Sequence, residues 1–314
     1  MGYFGSVRFF KNMILLAVII MIAVPSGFAV HLKHCLREAE GLLTEQEAPQ
    51  ETSATPEYKA DYDAMTLHAA APYDWPDLGN FQAESPYGEL YPDFYAPQEL
   101  NATVRETGVI YLTFDDGPSA RTEEILDILK EKDVKATFFV IGTQDEAGKA
   151  TLRRIVEEGH TLAMHSYSHA YSKIYASVED YLADMYQLFT QIKEVTGQTP
   201  SLFRCPGGSI NGYNQGIYQE LLAEMLRRGF VPFDWNVSSE DAATNGMVPA
   251  ETLAANVIRG AANVQRGIVL MHDSAQKTTT VQALPAVIDR LREQGFQLKA
   301  LTPEVLPVLY SYRE

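Results

Sequence analysis

The chain has 314 residues, of which 46% are hydrophobic, and a formal net charge of −16. This length and hydrophobic content allow one domain of roughly 200 residues with a full core, together with additional segments. The acidic balance argues against nucleic acid as a partner, because a negative surface repels phosphates. Only two cysteines, Cys35 and Cys205, are present, so the sequence gives no basis for a disulfide framework and cysteine use does not identify the compartment.

The N-terminus has the pattern of an export signal. Arg8 and Lys11 precede the apolar run Met13–Val24, and small residues then offer a cleavage site after Ala29. If the signal stays uncleaved, residues 13–30 give 18 residues, just enough to cross a bilayer, which needs about 17 to 25. Basic residues before this stretch place the rest of the chain outside the cytoplasm. We therefore expect residues 1–35 to be a signal peptide or a signal-anchor helix.

Residues 36–107 are predicted to be an acidic linker, since residues 37–106 carry 15 acidic and 3 basic residues. Two parts of this linker differ in composition. Gln46–Pro56 is rich in Glu, Gln, Ser, Thr and Pro, which is typical of a disordered spacer. Pro72–Pro97 instead combines seven aromatic residues with prolines and acids. Such a density of aromatic side chains is unfavourable in water, so this aromatic segment is predicted to pack against the domain formed by residues 108–314.

From Val109 onwards, strand patterns alternate with helix patterns. Seven apolar runs predict strands, at residues 109–114, 136–141, 161–164, 201–204, 231–235, 267–271 and 297–301. Six segments with helical periodicity lie between them, at residues 122–132, 149–158, 177–196, 214–228, 250–262 and 279–294. This alternation implies a mainly parallel α/β sheet with right-handed crossovers, open or closed into a barrel.

Polar residues follow five of the predicted strands. They are Asp115 and Asp116 in TFDDG, His165 and His169 in MHSYSH, Arg204 in RCPGG, Asp234 and Trp235 in PFDW, and His272 and Asp273 in IVLMHD. Each one alone also fits a structural role, such as a capping aspartate or a core histidine. Because chemistry gathers at the C-terminal ends of barrel strands, the set predicts a functional site there. His160 precedes its strand and is expected at the opposite end, without a chemical role.

Four segments resemble motifs of the polysaccharide deacetylases with a NodB-type homology domain, a carbohydrate esterase family. They are TFDDGPS at residues 113–119, HSYSH at 165–169, RCPGG at 204–208 and LMH at 270–272. The resemblance covers residues 108–303. It implies a distorted (β/α) barrel of about seven parallel strands that binds one divalent metal ion. It also implies removal of acetyl groups from N-acetylated sugars, in bacteria most often those of peptidoglycan.

The resemblance assigns the metal ligands and the catalytic residues. Asp116, His165 and His169 would bind the metal, and two imidazoles with one carboxylate suit zinc, with cobalt, nickel and manganese as alternatives. Asp115 would be the general base, with Arg204 holding its carboxylate in place.

Four further positions are assigned to the substrate side of the reaction. His272 would be the general acid that protonates the leaving amine, and the backbone N–H of Gly207 would stabilise the oxyanion. Leu270 is predicted to line the acetyl pocket, although a core leucine fits that position equally well. Trp235 is predicted to contact the substrate.

The segment WNVSSEDA departs from the family pattern. Family members commonly carry an aspartate shortly after W-x-V and a tryptophan four residues later, where this chain has Ser238 and Ala242. The carboxylate that supports the acid histidine is therefore absent from its usual place, and Asp241 and Asp273 are the two alternatives. Without either of them, the pKa of His272 is expected to be lower than in relatives, because serine carries no charge.

Three functions follow from these residues. The first is a metal-dependent deacetylase of an envelope polysaccharide, with N-acetylglucosamine of peptidoglycan as the favoured substrate. The second is a deacetylase of chitin oligomers or an acetyl-xylan esterase, and the third is an inactive glycan-binding barrel. The third is disfavoured, because a binding module needs neither a base nor an acid. We expect a monomer, attached to the membrane by its N-terminal segment or secreted to the cell wall, and acting outside the cytoplasm.

Overall fold

The computed structural model describes residues 85–243 and 247–310. The predicted signal, the spacer Gln46–Pro56 and residues 72–84 of the aromatic segment lie outside the described residues. None of the helices in the described ranges has the length and apolar character needed to span a bilayer.

Eight strands in the described residues form one parallel sheet. They are β1 (Val109–Asp115), β2 (Thr137–Ile141), β3 (Thr161–Ser166), β4 (Leu202–Phe203), β5 (Val231–Pro232), β6 (Val237–Ser238), β7 (Arg266–His272) and β8 (Gln297–Lys299). Seven of them follow the order β5-β4-β3-β2-β1-β7-β6, and β8 pairs with the first half of β1. The path is a half-barrel of parallel strands, which agrees with the predicted distorted barrel. The sequence did not predict β6, because two residues are too short to show strand alternation.

Seven helices connect these strands within the described residues. They are α1 (Ala120–Glu131), α2 (Glu146–Glu157), α3 (Tyr171–Ile174), α4 (Val178–Thr196), α5 (Tyr218–Arg227), α6 (Ala250–Ala261) and α7 (Thr278–Glu293). Helix α1 begins with a capping box, in which Ser119 Oγ accepts from Arg121 N–H and Thr122 Oγ1 accepts from Ser119 N–H. Six helices match the predicted segments. The short α3 was missed, because four residues give no helical periodicity.

The strand β1 separates two apolar layers and thereby sets the direction of the first aspartate. All seven of its residues are buried, as expected for a parallel strand covered on both faces. Ile110, Leu112 and Phe114 pack into the larger cluster under the helices. Val109 and Tyr111 pack into the barrel interior. Because side chains alternate along a strand, Asp115 lies on the interior face with Tyr111.

Residues 85–97 of the aromatic segment lie against the barrel. Phe94 is fully buried, and its ring centroid lies 5.0 Å from that of Phe189 and 4.8 Å from that of Phe230. Tyr91 stacks on Tyr186 of α4, with a centroid distance of 4.4 Å. The predicted packing is therefore present for this part of the segment.

Arg228 anchors the same segment through its backbone. The guanidinium is buried and donates to four carbonyl oxygens, those of Tyr87, Leu90, Tyr91 and Phe94. Its Nε–H donates to Glu224 Oε1 at 2.8 Å. A buried charge is tolerated only when it is paired and hydrogen-bonded, so Arg228 and the four carbonyls depend on one another.

Candidate metal and catalytic site

The two adjacent aspartates at the end of β1 occupy different environments. Asp115 is 2% exposed and lies opposite His272 in the parallel register of β1 and β7. Asp116 has a φ of 76°, a left-handed conformation that a non-glycine residue adopts at a cost of about 1 to 2 kcal/mol. This turn directs the second carboxylate out of the strand and towards the residues that follow β3.

Asp116, His165 and His169 form a cluster of three potential metal ligands. One ligand atom from each residue lies within 4.8 Å of the other two. Asp116 Oδ1 is 3.5 Å from His165 Nε2 and 3.2 Å from His169 Nε2. Asp116 Oδ1 is also buried without a hydrogen-bond partner. A buried carboxylate oxygen normally has a donor or a cation nearby, so the cluster fits a bound metal ion.

The state of His165 supports this interpretation. Its Nδ1–H donates to the carbonyl oxygen of Arg204 at 2.8 Å, which leaves the lone pair of Nε2 directed towards Asp116. Burial lowers the pKa of His165 to about 3, so the ring is neutral at physiological pH. A neutral imidazole oriented by a backbone carbonyl is the form that binds a metal.

Asp184 of α4 holds the segment that joins His165 to His169. Its carboxylate accepts hydrogen bonds from Ser166 Oγ at 2.6 Å, from Tyr167 N–H at 2.7 Å and from Ser168 N–H at 2.9 Å. Ser166 Oγ in turn accepts from His169 N–H at 2.8 Å. Asp184 was not predicted from the sequence, because no local signal marks it and its partners lie on another segment of the chain.

Arg204 fixes the carboxylate of Asp115. Its Nη1–H donates to Asp115 Oδ1 at 2.6 Å, and its Nε–H donates to the carbonyl oxygen of Phe233 at 2.9 Å. The guanidinium is fully buried and lies 4.0 Å from the ring centroid of Phe139. Burial raises the pKa of Asp115 above its ordinary value, and the charge of Arg204 opposes that increase. The predicted contact between these two residues is present.

Asp241 supports His272. Its Oδ1 accepts from His272 Nδ1–H at 2.7 Å, and its Oδ2 accepts from His272 N–H and Thr280 Oγ1–H, both at 2.8 Å. Burial lowers the pKa of His272, but the hydrogen bond and charge of Asp241, together with the charges of Asp115 and Asp116, outweigh it and raise the pKa to about 9. Of the two alternatives from the sequence, Asp241 is the residue in contact with His272 and compensates for the missing charge at Ser238.

Asp273 has a different environment from Asp241. It is fully buried, and its Oδ2 accepts from Thr122 Oγ1–H at 2.6 Å. Its backbone N–H donates to the carbonyl oxygen of Asp115 at 3.0 Å, and its carbonyl oxygen accepts from Ser119 Oγ–H at 2.5 Å. Burial raises the pKa of Asp273 to about 7. Asp273 therefore braces the loop after β1 and contacts the start of α1.

The three remaining predicted site residues are Gly207, Leu270 and Trp235. Gly207 is exposed and has a φ of 77°. Leu270 is 8% exposed and pairs with Thr113 in the register of β1 and β7. The ring of Trp235 lies 5.7 Å from the guanidinium carbon of Arg204. His160, by contrast, precedes β3, and its Nδ1 accepts from Ala136 N–H at 3.1 Å. Burial lowers its pKa to about 4, as expected for a neutral core histidine.

Comparison with known proteins identifies the family. A family model described as polysaccharide deacetylase matches residues 103–226. A peptidoglycan-N-acetylglucosamine deacetylase of Bacillus cereus is 34% identical over 246 residues, which are 77% of this chain and 86% of that protein. The chain belongs to the polysaccharide deacetylase family.

Two further proteins are similar to this deacetylase. The catalytic domain of a peptidoglycan N-acetylglucosamine deacetylase from Eubacterium rectale is 36% identical, with a TM-score of 0.63 over 68% of this chain and 96% of that chain. A bifunctional xylanase/deacetylase of Pseudobutyrivibrio xylanivorans is 33% identical over 214 residues, which are 65% of this chain and 33% of that protein.

Proposed function

We propose that this polysaccharide deacetylase is a metal-dependent hydrolase that removes N-acetyl groups from N-acetylglucosamine of peptidoglycan and releases acetate. The observation that carries the proposal is the convergence of Asp116, His165 and His169 next to two ionisable groups of opposite function. His165 Nε2 lies 3.9 Å from Asp115 Oδ2 as well as 3.5 Å from Asp116 Oδ1. A base and a metal ligand set thus share one small site.

Asp116, His165 and His169 would hold the metal, with zinc as the ion that best suits two imidazoles and one carboxylate. A divalent metal in this position supplies a Lewis acid that polarises the acetyl carbonyl and makes a water molecule more acidic. Asp115 accepts the proton of the attacking water, since its other oxygen is already held by Arg204 at 2.6 Å. The charge of the buried guanidinium opposes the rise in the pKa of Asp115 that burial causes, and its hydrogen bond holds the carboxylate in place.

His272 donates the proton that the leaving amine requires. The hydrogen bond from its Nδ1–H to Asp241 leaves Nε2–H as the donor towards the substrate. Because the pKa of His272 is raised to about 9, the ring is protonated at neutral pH, as a general acid must be. Gly207 N–H donates to the developing oxyanion, and Leu270 and Trp235 contact the acetyl side of the substrate. The reaction leaves acetate and a free sugar amine.

Two lines of support favour peptidoglycan as the substrate. The relatives from Bacillus cereus and Eubacterium rectale are both named for peptidoglycan N-acetylglucosamine. The export pattern of the N-terminus places the domain outside the cytoplasm, where that polymer lies. We infer that the protein acts as a monomer at the extracytoplasmic face of the membrane or in the cell wall. In this proposal residues 1–35 are the signal or anchor, and residues 36–107 link it to the catalytic domain of residues 108–314.

A comparison of acetate release from three substrates tests the proposal. Metal-loaded protein is incubated with peptidoglycan, with chitin oligomers and with acetylated xylan, and acetate is measured after each incubation. We expect the highest kcat/KM on peptidoglycan and loss of activity after treatment with a chelator. A preference for acetylated xylan would instead favour the second function, to which the likeness to the bifunctional xylanase/deacetylase points. Activity that survives removal of the metal would refute metal dependence.

A further inference from the structure

Two tyrosines border the metal-ligand cluster on the side of Gly207. Tyr171, in α3, packs edge-to-face against His169, with ring centroids 5.3 Å apart and an interplanar angle of 89°. Tyr213 packs against Tyr171 at a centroid distance of 5.2 Å. The two rings therefore lead from a metal ligand towards the protein surface.

Tyr171 occupies space that a side chain at position 207 would otherwise fill. A Cβ atom added to Gly207 would lie 3.0 Å from Tyr171 Cε1 and 3.2 Å from the Tyr171 hydroxyl oxygen. The absence of a side chain at this position thus allows the tyrosine ring to approach the backbone that carries the proposed oxyanion donor. Tyr171 forms a wall between His169 and Gly207, beside the place where the acetylated sugar must lie.

Tyr213 extends this wall outwards and is held in place by its own loop. Its side chain is 61% exposed, which makes it one of the few exposed large aromatic residues in the described part of the chain. Its N–H donates to Asn211 Oδ1 at 2.8 Å, and Asn211 Nδ2–H donates to the carbonyl oxygens of Pro206 at 3.0 Å and of Gly208 at 3.2 Å. The Tyr213 loop is thereby tied to the Gly207 loop, which carries the proposed oxyanion donor.

We propose that Tyr171 and Tyr213 form a sugar-binding subsite, in which the rings pack against the C–H face of the pyranose next to the N-acetylated one. This inference rests on the proposed function and adds a preference for oligosaccharides over single sugars. A tyrosine suits such a surface, because it has a large apolar face and a polar hydroxyl that tolerates water. An ordered aromatic surface continuous with a catalytic site also binds with little loss of side-chain entropy.

The test compares Tyr213→Ala with the parent enzyme on the tetramer and the monomer of N-acetylglucosamine. We expect Tyr213→Ala to raise KM for the tetramer by about 2- to 12-fold, as for the loss of one aromatic contact, with kcat within about twofold. The KM for the monomer should change less. Tyr95→Ala is the matched control, because Tyr95 is also an exposed tyrosine, with a relative exposure of 42%. Its ring lies near the guanidinium of Arg228, which precedes β5 in the chain.

An unchanged KM for the tetramer in Tyr213→Ala, or an equal rise for tetramer and monomer, would overturn the subsite. Calorimetric titration of the tetramer into metal-loaded Asp115→Asn protein, with and without Tyr213→Ala, separates this result from failure of the proposed function. If the parent releases no acetate but the tetramer binds and Tyr213→Ala weakens binding, the subsite stands and the assigned reaction is wrong. If both proteins bind the tetramer equally, the subsite is refuted.

Discussion

Replacement of Asp241 by asparagine removes the charge next to His272, the proposed general acid. The carboxylate lies 2.7 Å from His272 Nδ1, and the two side chains are only 2% and 15% exposed. Asparagine keeps an oxygen that can accept from Nδ1–H but removes the negative charge. Asp241→Asn is therefore expected to lower the pKa of His272.

The size of the effect follows from this geometry. Two unit charges about 4 Å apart interact by about 4 kcal/mol at an effective dielectric constant of about 20, and burial of His272 opposes part of that stabilisation. An opposite charge at such a distance typically changes a pKa by about 1 to 3. Asp241, Asp115 and Asp116 together raise the pKa of His272 from 6.5 to about 9. Because Asp115 and Asp116 supply part of this increase, we assign to Asp241 about 1 to 2 pH units, or about 1.4 to 2.7 kcal/mol.

The profile of kcat/KM against pH measures this effect. The acid must be protonated, so activity falls as pH rises through the pKa of His272. Loss of the Asp241 charge lowers that pKa, and the high-pH limb should move to lower pH by about 1 to 2 pH units. Glu240→Gln is the matched control, because the exposed neighbouring Glu240 contacts Asn256 rather than His272. A high-pH limb that stays in place in folded, metal-loaded Asp241→Asn would refute the assignment of His272 as the acid supported by Asp241.

Three further predictions address the metal, the aromatic segment and the loop of the third motif. His169→Ala should lose both metal and activity, whereas Asp115→Asn should keep the metal and lose turnover. Elemental analysis measures the metal content of each variant. If Asp115→Asn is as metal-free as His169→Ala, the assignment of Asp115 as base rather than ligand is wrong. Arg228→Ala should lower the free energy of unfolding by about 2 to 4 kcal/mol, because four carbonyls and Glu224 lose a buried donor; an unchanged urea midpoint would count against the anchor. Gly207→Ala should lower the Tm, since alanine at a φ of 77° costs about 1 to 2 kcal/mol and its Cβ atom would crowd Tyr171. An unchanged Tm would contradict this prediction.

Long periodic segments made most of the fold predictable from the sequence. The helix α4 was predicted as residues 177–196 and spans Val178–Thr196, because its apolar spacing, its N-cap Ser177 and its terminal Gly197 all agree. The strand predicted at residues 231–235 reduces to Val231–Pro232, and Val237–Ser238 forms a separate strand. Between them the chain crosses from one end of the strand order to the other. That crossing depends on the closure of the half-barrel, which no local pattern reveals.

The site was predictable where spacing along the chain determines it. Asp116, His165 and His169 converge because they follow strands at the same end of one sheet. Asp184, Tyr171 and Thr280 were missed, because their contacts to the site join segments that are separate in sequence. Helical periodicity marks only the buried face of α4, and it does not single out the one carboxylate of that helix that turns towards the histidine loop.

The position of Asp241 shows why a motif alone was ambiguous. Ser238 Oγ accepts from Glu240 N–H at 3.0 Å, and Glu240 has a φ of 63°. This left-handed turn brings the side chain of Asp241 back to the end of β7, where Thr280 of α7 also reaches it. A strained turn at a glutamate is not visible in the sequence, so only the folded chain could decide between Asp241 and Asp273.

The proposed base Asp115 and the proposed acid His272 also limit the pH range in which the proposed reaction can proceed. Burial raises the pKa of Asp115 above its usual value of 3.8, but Arg204 and His272 oppose that increase. Asp241, Asp115 and Asp116 together raise the pKa of His272 to about 9. A base must be ionised and an acid protonated, and the two conditions hold together between these two pKa values. The charge supplied by Asp241 widens that interval on its alkaline side, which is the contribution that Ser238 cannot make.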